Sequence, residues 1–371
     1  MATAVPQIDR DASHQHEWLA ARLFAVVLLG AQMPAFAQAP ARPPGPADSQ
    51  PPWLSINVSG HSAAVRALAF TSDSKRLCSA GLDKVVQVWN TSAVVRDLRR
   101  TWLLERSIRW QVGRGLRGSI YALAASPSDS LLALAGYGAT GALGEILLVD
   151  PVQGTLQTTL TAHRQTVCSL AFSADGGWLA SLDVSGRLVL WKRGDWRPSV
   201  VYEGDAQVYG AGLAGTIARQ PNLRPLAMLG SSHLLAPVCL GMGTDGQPIW
   251  RLQRIGLSDR RDVRTFDTQH AGMVSALAAS ADGRMIASAD LSGKMYLAEA
   301  DGQARPLDAE GVVLSLCFDP TGATLVAGTA VSAEFGRGQL ETWDVATGVR
   351  KAKRLLADNV TACAVSPDGK L

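Results

Sequence analysis

Three stretches of this chain align on one another without a gap, and this internal repeat limits the possible folds more than any other feature. Each copy opens with a histidine, carries an aspartate twelve residues later and a serine eighteen residues later. The columns hold, copy by copy, His61, Asp73 and Ser79, then His163, Asp175 and Ser181, and finally His270, Asp282 and Ser288. Matched columns in three copies do not arise by chance, so the sequence predicts a repeat protein.

The local pattern inside each copy is typical of β-strands. The first apolar runs read VRALAF, VCSLAF and VSALAA, and the third runs read VVQVW, RLVLW and KMYLA. Short apolar runs that are separated by turns containing Gly, Asp or Ser, and that lack a helical period, indicate an all-β repeat. One such group of strands cannot bury both of its faces, so successive copies must stack.

Fainter copies fill the intervals between the three clear ones. First strands begin near residues 65, 120, 167, 224, 274, 313 and 360, which predicts seven groups of strands. The seventh opens with VTACAVSPDGKL over residues 360–371 and has no length left for further strands. We therefore expect a seventh, incomplete unit in a C-terminally truncated chain. A ring of six units with an unused seventh start is the alternative.

Several motifs resemble the WD-repeat (G-beta-like) β-propeller family. They are the pair Gly60-His61, the S-x-D-G-type turns and the pair Trp343-Asp344. The resemblance implies an all-β propeller of four-stranded blades over residues 53–371, seven-bladed with the last blade incomplete. It also implies a structural tetrad of hydrogen-bonded His, Ser, Asp and Trp in single blades. The matching residues are His61, Ser79, Asp83 and Trp89 in repeat one, His163, Ser181, Asp183 and Trp191 in repeat three, and His270, Ser288 and Asp290 in repeat five, where Ala298 replaces the tryptophan.

A serine, a histidine and an aspartate in one blade also suggest a hydrolase triad. The same set recurs at matching offsets in separate repeats, whereas a catalytic site is needed only once, so we interpret these residues as structural. The sequence contains no glycine-rich phosphate loop, no metal-ligand spacing and no nucleophile motif. We therefore predict no catalytic residues, no metal and no cofactor. An enzymatic propeller, such as a lactonase or a glycosidase, would need clustered carboxylates or metal ligands at its centre.

Two enlarged connections between second and third strands are the candidate partner-binding loops. They span residues 136–144 and 329–338, and long glycine-containing loops on a rigid scaffold often carry binding function. The candidate contact residues are Tyr137, Glu334, Phe335 and Arg337. Drift in unconstrained loops would explain the same insertions. The net charge is only +3 and no long basic run occurs, so nucleic acid is not expected as a partner.

The predicted function is a non-catalytic scaffold for protein–protein interaction that binds other proteins or peptides on the loop face. The alternative is an N-terminal sensor or targeting propeller of a larger multidomain enzyme, for example a caspase-like protease, whose remainder would follow Leu371.

The N-terminal region resembles a secretory signal. Residues 23–31 (LFAVVLLGA) follow Arg22, are too short to span a bilayer, and precede small residues at Ala35 and Ala37. We predict a signal peptide over 1–37 and a proline-rich disordered tether over 38–52. This favours a bacterial exported protein, periplasmic or extracellular, with membrane contact only through an uncleaved signal. The chain would be cytoplasmic if the segment is not a functional signal.

The five cysteines are far apart in the sequence and form no C-x-x-C pair. Each lies in an apolar, strand-like run, where a free thiol behaves as a small hydrophobic group. We therefore expect core positions rather than redox or metal roles for Cys78, Cys168, Cys239, Cys317 and Cys363.

Overall fold

The regular structure of this protein is entirely β within the residues that its computed structural model describes. These residues are 60–92, 102–111, 113–138, 143–204, 225–243, 248–266, 268, 270, 272–330 and 337–371. They contain twenty-four strands in six antiparallel, four-stranded sheets, and no helix of a length and apolarity able to cross a membrane occurs among them. The predicted signal peptide over 1–37 and tether over 38–52 lie outside the described residues.

Each sheet takes four consecutive strands in sequence order. The first three sheets contain β1 (Val65–Phe70), β2 (Arg76–Gly81), β3 (Val85–Asn90) and β4 (Leu103–Arg109); β5 (Ile120–Ala125), β6 (Leu132–Gly136), β7 (Gly144–Asp150) and β8 (Thr155–His163); and β9 (Val167–Phe172), β10 (Trp178–Asp183), β11 (Leu188–Lys192) and β12 (Pro198–Tyr202). The last three contain β13 (Ala227–Leu229), β14 (His233–Met242), β15 (Pro248–Gly256) and β16 (Val263–Phe266); β17 (Val274–Ala279), β18 (Met285–Asp290), β19 (Met295–Glu299) and β20 (Ala304–Leu307); and β21 (Val312–Phe318), β22 (Thr324–Ala330), β23 (Gly338–Asp344) and β24 (Arg350–Leu356).

The sheets stack through their first strands, as in a propeller. Strand β1 contacts β5, β5 contacts β9, β13 contacts both β9 and β17, and β17 contacts β21. The burial of the strands agrees with this stacking. Almost every residue of the first strand β5 is buried, whereas almost every residue of the fourth strand β4 is exposed. The fold is therefore the all-β propeller expected from the repeats, with inner first strands and outer fourth strands.

The apolar core lies between neighbouring sheets. One buried cluster joins Val86 and Val88 of the first sheet to Ile120, Leu132 and Leu134 of the second. Full burial of a side chain of this size contributes ~1.5–3 kcal/mol relative to its exposure. Stacking is thus what stabilises each sheet, as the repeat pattern predicts.

The number of blades differs from the expected seven, because the described residues form six sheets. Residues 360–371, predicted to open a seventh blade, contain no assigned strand. They nevertheless lie between the sixth and the first sheet, where the Ser315 hydroxyl donates to the carbonyl of Val360 and the Thr361 hydroxyl donates to that of Val65. The physical reason is that a strand needs a hydrogen-bonded neighbour, and no strand of the described chain pairs with this segment.

The inner strands surround a central channel. Its wall is made by seven stretches of chain: five lie on the first strands of sheets, Pro225 lies just before β13, and the seventh comes from residues 361–363. These stretches are 66–68, 121–123, 168–170, residue 225, 275–277, 314–316 and 361–363. The ring thus has seven positions around its axis, of which six carry a complete sheet.

Candidate functional site

A complete network of four side chains joins the last residue of the second sheet to the third sheet. His163 ends β8, Ser181 and Asp183 lie on β10, and Trp191 lies on β11. His163 Nδ1 is 2.8 Å from Asp183 Oδ2, and His163 Nε2 is 2.7 Å from Ser181 Oγ. Trp191 Nε1 donates to Ser181 Oγ at 2.8 Å. All four side chains are buried.

The carboxylate of Asp183 fixes the direction of these hydrogen bonds. Burial opposes its charge, but hydrogen bonds from His163, from the Ser185 hydroxyl and from the Arg187 amide hold the pKa of Asp183 below its usual value. An ionised carboxylate only accepts, so His163 donates from Nδ1, and in the neutral imidazole Nε2 is then the acceptor for the Ser181 hydroxyl. The hydrogen bonds therefore run in one direction, from the Trp191 indole to the Ser181 hydroxyl, then to the imidazole and finally to the carboxylate.

The first sheet forms the same network, but its carboxylate belongs to Asp83 in the turn between β2 and β3 and not to a strand residue. His61 lies 2.7 Å from both Asp83 Oδ2 and Ser79 Oγ, and Trp89 Nε1 donates to Ser79 at 2.8 Å. Asp83 Oδ1 is buried and accepts no hydrogen bond from the described residues. The blade therefore assembles all four predicted side chains but leaves one carboxylate oxygen without a partner.

The strand register explains why Asp83 comes two residues later in its repeat than Asp183 does in the third repeat. Asp183 pairs with Val167 across its sheet, and the residue that pairs with Val65 in the first sheet is Gly81. A Cβ atom at Gly81 would lie 2.1 Å from the carbonyl oxygen of Ala64. No side chain fits there without a backbone shift, so the turn supplies the carboxylate instead.

The fifth sheet keeps three members of the network. His270 lies 3.2 Å from Asp290 Oδ2 and 2.9 Å from Ser288 Oγ, while Ala298 occupies the tryptophan position opposite Ile286. The ring of Tyr296 packs edge-on against His270, with 5.0 Å between the ring centroids. Burial of Asp290 is outweighed by hydrogen bonds from His270, Ser292 and Lys294, which lower the pKa of the carboxyl to about 2.

Two other sheets place apolar residues at the serine position. Leu134 occupies it in the second sheet and Ala327 in the sixth, as the strand registers show. The sixth sheet still carries a tryptophan, Trp343, whose buried Nε1 has no hydrogen-bond partner in the described part of the chain. The network is thus complete in two of these sheets, partial in one and absent in two.

The geometry of the networks resembles that of a hydrolase triad, but the serines are inaccessible. Ser79, Ser181 and Ser288 are at most 2% exposed, and in the first and third sheets the tryptophan N–H already occupies the hydroxyl oxygen. A nucleophile must reach its substrate. Across the described ranges, no group of three or more His, Cys, Asp or Glu side chains is arranged to hold a metal.

The predicted partner-binding residues are only partly within the described chain. Tyr137 follows β6 and is half-buried, and its backbone exchanges hydrogen bonds with Gly118 and Ser119. Arg337 precedes β23 and is exposed. Glu334 and Phe335 lie outside the described residues.

Sequence reasoning missed a hydrogen bond between neighbouring blades. The Ser275 hydroxyl of the fifth sheet donates to the Val313 carbonyl of the sixth at 2.6 Å, and Thr361 donates to Val65 of the first at 2.8 Å. Ser275 and Thr361 occupy the same place in their repeats, directly after the valine that opens the first strand. A hydroxyl in this column is the signal that could have revealed the bond.

Two curated proteins have stretches similar to this chain. Apoptotic protease-activating factor 1 of Rattus norvegicus is 27% identical over an alignment of 163 residues that covers 37% of this chain and 13% of that protein. Transducin beta-like protein 2 of Homo sapiens is 29% identical over 127 residues, which is 34% of this chain and 26% of that protein. The matched part of this chain therefore spans about an eighth and about a quarter of these relatives.

Residues 54–90, 154–192 and 260–297 match the family described as WD domain, G-beta repeat. The match over 154–192 includes β8, which closes the second sheet, and β9, β10 and β11 of the third. Each sequence repeat is thus offset from the sheets by one strand. The matches and the six four-stranded sheets support a WD-repeat family for this chain, which carries WD repeats of the G-beta type in a β-propeller.

Proposed function

We propose that this chain is a non-catalytic scaffold that binds other proteins or peptides through the loops at one end of its sheets. WD-repeat propellers are typically protein-interaction scaffolds. The observation that carries the proposal is that the polar side chains shared by the repeats are buried and hydrogen-bonded to one another, so they stabilise blades. Recognition is then left to the exposed loops, which differ from blade to blade.

Strand order identifies the end that carries the candidate loops. The β6–β7 and β22–β23 connections, which contain Tyr137 and Arg337, both join a second to a third strand and lie at the same end of their sheets. The β11–β12 connection joins a third to a fourth strand and lies at the opposite end. Its exposed Arg197 therefore provides a matched control for Arg337.

Affinity capture from an extract of the source cells tests the binding face. We expect a protein that co-purifies with the native chain to be lost with the Tyr137→Ala, Arg337→Ala double variant and retained with Arg197→Ala. Equal recovery with all three proteins would rule out this face, and the absence of any specific partner would count against the scaffold itself.

A fluorophosphonate probe tests the non-catalytic part of the proposal. It labels serines that are both activated and accessible. We expect no labelling of the buried Ser79, Ser181 or Ser288 in the folded protein. Labelling that is lost after a Ser→Ala substitution at one of them would instead indicate a hydrolase.

A second candidate is that the propeller is the sensor or targeting part of a larger protein, such as one with a protease domain. The small share of each relative that this chain covers, 13% and 26%, favours it. Reading the genomic sequence beyond Leu371 separates the candidates. A continuous reading frame into a catalytic domain supports the second, and a nearby stop codon supports the first.

We also propose that the chain is exported, because residues 23–31 followed by Ala35 and Ala37 have the pattern of a secretory signal. Cell fractionation with N-terminal sequencing of the purified protein tests this. A mature protein that begins near Gln38 in an extracytoplasmic fraction is expected, and an intact N-terminus in the cytoplasm would contradict export.

A further inference from the structure

Residues 360–371 are held from both sides by their neighbours in the ring. On the sixth sheet, the Val360 amide donates to the carbonyl of Thr329 at 3.3 Å. On the first sheet, the Asp368 amide donates to the Ser74 hydroxyl at 3.0 Å. Ala364 packs with the apolar cluster around Trp89. The segment therefore joins the two ends of the row of sheets.

The sixth sheet is shaped to receive this segment. Ser315 and Gly328 pair across β21 and β22 and share one face. A Cβ atom at Gly328 would lie 2.5 Å from Val360 Cγ1, so only a glycine leaves room for that valine. The same face, two residues along each strand, carries Cys317 and its partner Val326.

Two cysteines meet at this contact. The Cys363 thiol lies 3.9 Å from the carbonyl oxygen of Val326, the residue directly opposite Cys317. The two thiols also interact directly, and this contact, together with burial, raises the pKa of Cys317. The same contact lowers the pKa of Cys363 against the effect of burial, and Ser315 adds to the lowering.

The pair differs from the other three cysteines. Cys78, Cys168 and Cys239 are buried in the strands of other sheets, whereas Cys317 and Cys363 are only partly buried. Two thiols alone do not form a structural metal site, which needs about four ligands. Two adjacent thiols on separate segments can, however, be joined by oxidation.

We propose that Cys317 and Cys363 form an intramolecular disulfide in the presence of a disulfide oxidant such as oxidised glutathione, and that the bond fastens residues 360–371 to the sixth sheet. The Cys363 thiolate attacks one sulfur of the oxidant, forms a mixed disulfide and releases one glutathione. Cys317 then loses its proton, attacks the Cys363 sulfur and releases the second glutathione. Two cysteine thiols are oxidised, one oxidant disulfide is reduced, and the two thiol protons leave on the two glutathiones.

The bond would control how firmly the ring is closed. The disulfide joins two positions that are distant in sequence. It therefore restricts how far residues 360–371 can move from the sixth sheet when their non-covalent contacts break. In the reduced protein, residues 360–371 are held by the non-covalent contacts described above. We expect oxidation to slow hydrogen exchange across residues 360–371 by about tenfold or more, with little change in the second sheet.

Peptide mapping of the full native chain tests the proposal without any substitution. The protein is incubated with oxidised glutathione, alkylated while folded, digested without reduction and analysed by mass spectrometry. We expect a peptide in which Cys317 is linked to Cys363, while Cys78, Cys168 and Cys239 are alkylated only after unfolding. Glutathione adducts alone, free thiols at both positions, or a link to another cysteine would each overturn the proposal.

Two single variants check the pairing. Cys363→Ser and Cys317→Ser should each lose the cross-linked peptide and carry one glutathione on the remaining cysteine. The double variant cannot carry either modification at this contact and should show the same hydrogen exchange in oxidant and reductant. An exchange difference that persists in the double variant would mean that oxidation acts elsewhere.

Discussion

The Thr361 hydroxyl donates a 2.8 Å hydrogen bond to the carbonyl oxygen of Val65, and this bond links the last repeat of the chain to the first. The Ser275 hydroxyl makes the equivalent bond to Val313 between the fifth and sixth sheets. The ring is therefore closed by the same contact that joins two complete blades.

Replacing Thr361 by valine should weaken this closure. The substitution keeps the shape of the side chain but removes the donor to Val65, and a hydrogen bond of this type contributes ~1 kcal/mol. We expect the free energy of unfolding in urea to fall by about that amount, with faster hydrogen exchange in residues 360–371. Thr159→Val, at an exposed position of β8, serves as the control. Equal effects of the two substitutions would show that the bond does not matter.

Replacing Ser181 should cost more than replacing Ser288. Ser181→Ala removes the partner of both Trp191 Nε1 and His163 Nε2, whereas Ser288 serves only His270, because Ala298 stands in the tryptophan position. Buried polar groups that lose their partners cost ~1–3 kcal/mol each. We expect a loss of about 2–4 kcal/mol for Ser181→Ala and about half of that for Ser288→Ala. Chemical denaturation measures both, and equal losses would contradict the network interpretation.

A serine at position 327 should stabilise the sixth sheet. Ala327 occupies the position at which Ser79 accepts from Trp89 in the first sheet, and Trp343 Nε1 has no hydrogen-bond partner among the residues that the structure describes. We expect Ala327→Ser to raise the free energy of unfolding by ~1 kcal/mol. Leu134→Ser is the control, because Val149 holds the tryptophan position there. That substitution buries a hydroxyl without an indole donor and should destabilise, so a gain from both changes would refute the explanation.

Acid should weaken the fifth sheet in a defined pH range. The folded-state pKa of Asp290 is about 2, below the value of about 4 for an unfolded aspartate. A carboxyl with a depressed pKa stabilises the fold fully above the unfolded value, and this stabilisation is lost as the pH falls from about 4 to about 2. The shift corresponds to ~2 kcal/mol.

Denaturation curves recorded at several pH values between these limits measure that loss. Asp290→Asn should lower stability at neutral pH and give a smaller pH dependence below pH 4. An unchanged slope in this variant would assign the acid sensitivity to other carboxyl groups, such as Asp183, whose pKa is also lowered.

The sequence predicted the fold class and the members of the networks because each repeat contains its own partners. His163, Ser181 and Asp183 lie within one copy of the pattern, so their spacing in the chain reflects their contacts. The same holds for the turns, in which Ser173 and Ser280 each donate to an aspartate two residues later.

Features that depend on a neighbouring blade, or on how closely two backbone segments approach within one blade, could not be predicted in this way. The contact between Cys317 and Cys363 joins two repeats, and each cysteine taken alone fits a core position. The steric limit at Gly81, which moves the carboxylate to Asp83, depends on how closely Ala64 approaches. The count of seven blades was wrong because a run of strand-like residues at 360–371 predicts a strand but not its ladder partner.

The offset between sequence repeats and sheets, seen where residues 154–192 supply β8 to one sheet and β9–β11 to the next, has an evolutionary consequence. A gene duplication that copies one such unit brings an outer strand for its predecessor and three inner strands of its own. Tandem copying can therefore lengthen or shorten the array by whole units while every interior sheet stays four-stranded. Only the two units at the ends of such an array need another way to complete their sheets.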